Sequence, residues 1–131
     1  MAARITELAL DSRDPAALAA WWAEVLGYEV LGEEDDGTVE IGPSGQEPKG
    51  VVPTMVFAPV ADPTPGKLRL HLDLNATDRD QEAELQRLLA LGATPVDVGQ
   101  GPISDTMTWH VLADPEGNEF CLLRSTVAPL P

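Results

Sequence analysis

The stretch Asp14-Pro15-Ala16-Ala17-Leu18-Ala19-Ala20-Trp21-Trp22-Ala23-Glu24-Val25-Leu26-Gly27 decides how the rest of the chain is read. Asp14 is a natural N-cap, and Pro15 suits the first helical position, where its missing N–H would have no partner anyway. Leu18, Trp21, Trp22, Val25 and Leu26 recur at helical spacing, and Gly27 is the expected left-handed stop. A strand is predicted just before this helix, over residues 4–10, with Ile5, Leu8 and Leu10 as its apolar positions. Three short runs after it are predicted as strands, over 28–31, 38–41 and 54–58. An acidic turn (Gly32 to Gly37) and a Gly/Pro-containing loop (45–53) separate them. The order is β-α-β-β-β.

The same order then recurs. Lys67-Leu68-Arg69-Leu70-His71-Leu72-Asp73-Leu74 alternates with period two, placing the four leucines on one face and Arg69, His71 and Asp73 on the other. A second helix is predicted from Asp80 to Leu91, with Leu85, Leu88 and Leu89 as its apolar stripe and Gly92 as its stop. A strand over 94–98 follows. A hairpin over 107–113 and 119–123 then turns at Asp114-Pro115-Glu116-Gly117-Asn118, a sequence rich in turn formers. Gly27 and Gly92 lie 65 residues apart (92 − 27), half of the 131-residue chain, which points to an internal duplication. The expected architecture is α+β: one domain of two tandem β-α-β-β-β modules, residues 1–60 and 67–126, joined by the proline-rich linker 61–66. One helix can cover only one face of each sheet. The other faces must curve toward each other or meet a partner subunit, giving a curved mixed sheet around a central cleft for a ligand.

Composition narrows the partners. Eight Lys and Arg against 22 Asp and Glu give a net charge of −14, which repels phosphate backbones and argues against nucleic acid. No apolar run approaches the ~18 residues that a bilayer span requires, so no membrane partner is expected. Patterned sequence begins at once after Met1, leaving no room for a signal peptide, and the single cysteine cannot form an internal disulfide. Both point to a cytoplasmic protein. The loops Gly42-Pro43-Ser44-Gly45 and Gly99-Gln100-Gly101-Pro102 lack a following helix and a lysine, so they are not phosphate cradles.

Three segments carry a family resemblance. Leu10 to Tyr28 is similar to the opening of a glyoxalase-like domain, and so is Arg69-Leu70-His71-Leu72-Asp73-Leu74. The most specific is Trp109-His110-Val111-Leu112-Ala113-Asp114-Pro115-Glu116-Gly117-Asn118-Glu119-Phe120-Cys121. Together they resemble the vicinal oxygen chelate superfamily, which includes glyoxalase I, extradiol dioxygenases, fosfomycin-resistance transferases and bleomycin-resistance binding proteins. The resemblance implies paired β-α-β-β-β modules and, commonly, a homodimer. Metal-dependent members place four ligands on the concave sheet. Carried over one at a time, those positions are Glu7, Ala58, His71 and Cys121 in this chain. Alanine has no ligand atom, and the fourth position usually holds glutamate.

Glu7, His71 and Cys121 could hold zinc with an open position, and Zn, Ni or Mn are the divalent ions to consider. A hard, oxygen-preferring ion would disfavour the thiol. Asp73 and Asp11, on neighbouring strand positions, are alternative oxygen donors. The plainer reading pairs Glu7 with His71 beside an inert Cys121, and the broken ligand set favours it, with no metal or other cofactor. Relatives also imply that Val111 faces the cavity. Strand alternation then puts Trp109 on its wall and His110 on the other side.

The expected function is therefore binding of a small molecule, without metal, through Glu7, His71, Trp109, Val111 and Cys121. The alternative is a glyoxalase-type lyase or isomerase, in which a divalent ion chelates adjacent substrate oxygens and Glu7 or His71 takes part in proton transfer. A thiolate mechanism at Cys121 would need His71 as its base.

Overall fold

The computed structural model describes residues 2–131. Asp14 caps the first helix as its chemistry dictates: its Oδ1 accepts from the Ala17 N–H at 3.2 Å. Helix α1 (Pro15–Leu26) then ends at Gly27, whose φ of 67° lets its N–H reach back to the Ala23 carbonyl. Strands β1 (Glu7–Ser12), β2 (Tyr28–Glu33), β3 (Val39–Pro43) and β4 (Thr54–Pro59) form a mixed sheet in the order β1-β4-β3-β2, with β1 and β4 parallel. Leu18, Trp22 and Val25 of α1 are buried, as are Val39, Ile41, Met55 and Phe57 of β3 and β4. Trp21 and Trp22 meet edge to face, with ring centroids 5.2 Å apart. Only Trp22 is fully buried.

The second half repeats this plan with shorter strands. Strands β5 (Leu72–Leu74), β6 (Thr94–Pro95), β7 (His110–Ala113) and β8 (Glu119–Leu122) form a mixed sheet ordered β5-β8-β7-β6, with β5 and β8 parallel. Helix α2 (Gln81–Leu91) is capped by Asp80, whose Oδ1 accepts from the Ala83 N–H at 2.8 Å, and stops at Gly92. The core here is Leu88, Leu112, Phe120 and Leu122. The fold is thus α+β, with two four-stranded mixed sheets and two helices among the described residues. The chain divides into two compact units, residues 1–65 and 66–131.

Four strand predictions need correction. The hairpin's first strand begins at His110 rather than 107, because Met107 bonds to Ser104 in a local turn. The run 67–74 alternates throughout, yet only Leu72–Leu74 pairs, and Leu70 is 73 % exposed. The reason lies in its partner. Leu72 sits opposite Phe120, so residues before His71 fall opposite the hairpin turn, where no strand exists to receive them. The predicted strand 94–98 stops at Pro95 because side chains take over the backbone groups beyond it. Asp97 Oδ1 accepts from the Gly99 N–H, and Gln100 Oε1 from the Val98 N–H, both at 2.8 Å. The first strand is displaced from 4–10 to Glu7–Ser12, because its parallel partner begins only at Thr54. Arg4 serves instead as a clamp, donating to the carbonyls of Lys49 and Gly50 at 2.6 and 2.7 Å.

The β7–β8 turn is organised by one buried carboxylate. Asp114 Oδ1 accepts from the N–H groups of Glu116 and Asn118, and Oδ2 from the Asn118 side-chain amide at 2.8 Å. Replacing it strands three donors beneath the hairpin that carries the candidate site. Asp114→Ala is expected to cost about 1–3 kcal/mol, read as a lower urea midpoint. Asp35→Ala, on the exposed β2–β3 turn, should leave the midpoint unchanged.

Candidate functional site

Strand register builds the site. Cys121 of β8 lies opposite Asp73 of β5 on one side and Val111 of β7 on the other, so the three form a row across the sheet. Side chains alternate along a strand, so the residues two positions away share that face. These are His71, Trp109, Glu119 and Leu123. All seven line a hollow of about 440 Å³, with Lys67, Val98 and Phe120 completing it. Phe120, Leu122 and Leu112, at the alternate positions of the same strands, are fully buried and hold the row in place.

The hollow combines an apolar wall with a polar cluster. Trp109, Val111 and Leu123 make the wall, and Trp109 remains 38 % exposed and free to meet a ligand. In the cluster, His71 Nδ1 lies 3.5 Å from Asp73 Oδ1. Cys121 is buried, and one ligand atom from each of His71, Asp73 and Cys121 falls within 4.8 Å of the others. At the rim, Lys67 Nζ approaches Glu119 Oε2 at 3.7 Å. Burial pushes the Cys121 thiol above the ordinary cysteine range. The Asp73 charge, a hydrogen bond to Asp73 and the Glu119 charge add to the rise, and Lys67 opposes it weakly. The thiol therefore keeps its proton near neutral pH, and His71 has no thiolate to partner. The nucleophile reading loses its chemical basis.

The sequence-derived candidates fall in both units. His71, Trp109, Val111 and Cys121 share the hollow of the second unit. Glu7 stands at the start of β1 in the first unit, exposed; within the second unit the carboxylate beside His71 is Asp73. Ala58 lies opposite Asp11 on the first sheet. His110 lines a smaller hollow of about 260 Å³ with Leu85 and Leu89 of α2, which Trp109 and Val111 also border. Asp73 and Glu119 are the site residues that sequence reading undervalued. Their signal was present, because each is two residues from a candidate on its own strand.

As a metal site, the cluster offers one nitrogen, one carboxylate and one sulfur. That set suits a borderline ion such as zinc, with a fourth position open. It does not suit a hard ion, which prefers oxygen donors.

Comparison with known proteins follows from this geometry. The family model of the glyoxalase-like domain matches residues 7–123. A search of curated proteins gives no match. Among solved structures, a point variant of the fosfomycin-resistance protein FosX from Listeria monocytogenes, in complex with Mn(II) and dihydroxypropylphosphonic acid, is 13% identical. It aligns over 97% of this chain and 94% of its own, with a TM-score of 0.71. FosX from Mesorhizobium loti is 11% identical, with a TM-score of 0.68 over 97% and 95% of the two chains. A glyoxalase/bleomycin resistance protein/dioxygenase family enzyme from Burkholderia phytofirmans PsJN is 20% identical, with a TM-score of 0.66 over 92% and 97%. At these identities the likeness establishes the fold alone.

The thiol provides a direct check on the site. Alkylation of Cys121 by iodoacetamide should be slow at neutral pH and accelerate only above the ordinary thiol value of about 8.5. Asp73→Asn should move that profile to lower pH. A group raised in the folded state stabilises the fold below its unfolded value, and this contribution is lost as pH climbs through the folded value. The urea midpoint should therefore fall across the same alkaline window, and less so in Cys121→Ala. A reactivity profile centred at or below the ordinary value would contradict the arrangement. The matched residues span nearly the whole chain, and with the repeated β-α-β-β-β plan they place it in the glyoxalase-like domain family of the vicinal oxygen chelate superfamily.

Proposed function

We propose that this protein binds a small organic molecule in the hollow over Asp73, Cys121 and Val111, without a resident metal ion. The observation that carries this reading is the pairing of an apolar, aromatic wall with a few polar groups in one hollow of about 440 Å³. Ligand sites are built that way: apolar lining supplies the affinity, and a small number of polar groups fix the orientation. The Trp109 ring offers a flat face to a flat ligand.

Metal independence rests on donor chemistry. The neighbour FosX is described with Mn(II) and a phosphonic acid. Mn(II) is a hard ion, and the ligand positions that the family resemblance carries over include Ala58, with no donor atom, and Cys121, a soft sulfur donor. An anionic phosphonate would also meet Asp73 and Glu119, with only Lys67, already paired with Glu119, to offset them.

One observation favours the second reading, a metal-dependent lyase or isomerase: His71, Asp73 and Cys121 lie close enough to share an ion. A bound zinc would supply Lewis-acid polarisation of a substrate oxygen. His71 and Asp73 would then hold the ion, and Cys121 would have to release its proton.

Two measurements test the reading together. Protein purified without chelator should contain substoichiometric metal by mass spectrometry. Stoichiometric Zn, Ni or Mn that disappears in His71→Ala would overturn metal independence. In a thermal-shift panel of drugs and keto compounds, at least one compound should raise the melting temperature, because a ligand that binds only the folded state stabilises it. Trp109→Ala, which removes the aromatic wall, should reduce that shift. No shift across the panel would overturn the binding reading.

A further inference from the structure

The same hollow carries information about the charge of what it binds, an inference that rests on the binding function proposed above. Its wall holds two carboxylates, Asp73 and Glu119, against the single ammonium of Lys67. These groups differ in their partners. Lys67, with a 61 % exposed side chain, lies 3.7 Å from Glu119, whose side chain is 23 % exposed, so those two charges largely offset each other. Asp73, with a 51 % exposed side chain, stands opposite buried Cys121, and its near neighbours are the His71 imidazole and the Cys121 thiol. A carboxylate in that position lacks a permanent cation. Trp109 and Val111 stand across the hollow from it along the same row of strands. An aromatic face attracts a cation on its own account, through the ring quadrupole.

We propose that the hollow selects organic cations: amines with a flat, apolar body. The body lies against Trp109 and Val111, and the ammonium group faces Asp73. The chemistry disfavours anions of the same shape, because Asp73 and Glu119 repel them and Lys67 is already engaged. It disfavours neutral analogues less, since those keep the contact with Trp109 and lose only the charge pairing. The overall charge of −14 draws cations toward the protein from a distance, but that field is not specific to the hollow.

The test uses three probes of one shape: 2-naphthylmethylammonium, 2-naphthylmethanol and 2-naphthoate, titrated calorimetrically into the full chain. The ammonium should bind one-to-one and at least about tenfold more tightly than the alcohol, with naphthoate the weakest of the three. In Asp73→Asn the ammonium should fall to the affinity of the alcohol, while the alcohol is unchanged. Trp109→Ala should weaken both by a similar factor. Asp35→Asn, on the first unit's exposed turn, removes the same net charge and should leave all three affinities unaltered, separating the hollow from the general field. If the alcohol matches the ammonium, or naphthoate binds best, the charge assignment is wrong and the binding function stands. If none of the three binds, and the compound panel also gives no shift, both fall. The wild-type comparison needs no variant, so it holds even if Asp73→Asn is unstable.

Discussion

A four-stranded sheet packed under a single helix has one dry face and one that must find other company. That constraint governs each half of this protein. In the second unit the helix side takes Leu88, Leu112, Phe120 and Leu122. Every residue one position away on the same strands is thereby assigned to the open side. A one-residue slip in β8 would turn Cys121 and Glu119 away from the hollow and bring Phe120 toward it, so the core sets the register of the site. The polar cluster is the obligatory reverse side of the apolar packing.

The open face has its own consequence for protons. Cys121 is buried between Asp73 and Val111, and its thiol is held in the neutral form by burial and by the carboxylates around it. The same proton that prevents a thiolate also blocks the sulfur from acting as a metal donor, until an ion displaces it. Asp73 is the pivot in both cases. It lies within reach of His71, accepts from the thiol, and carries the charge that a ligand entering the hollow would feel first.

Much of this was legible in the sequence, and the parts that were not share one cause. Asp14, Gly27, Asp80 and Gly92 announce both helices because caps and stops are local chemistry, and the structure uses all four as expected. Strand lengths are not local. Leu68 and Leu70 alternate as well as Leu72 and Leu74 do, but pairing ends where β8 ends. Pro95 and the side chains of Asp97 and Gln100 likewise stop β6 after two residues. The site shows the same division. His71, Trp109, Val111 and Cys121 could be placed together by alternation and resemblance. Asp73 and Glu119 follow from the same alternation, once the parallel pairing of β5 with β8 is known.

The fold tolerates this degree of divergence because very few side chains distinguish one member's chemistry from another's. Chains only 11–20% identical to this one share its path over more than nine-tenths of their length. In this chain that path is fixed by the helix stops, the buried leucines and the Asp114 hub. The row on the open side is free to change without threatening the core. A glutamate exchanged for Cys121 would restore an oxygen donor and remove a buried thiol, while the Phe120 and Leu122 packing on either side stayed in place. Whether such a scaffold grips an ion or a cationic organic ligand is therefore decided by two or three side chains on three paired strands. In this chain those side chains are a carboxylate without a permanent cation, an imidazole and a protonated thiol.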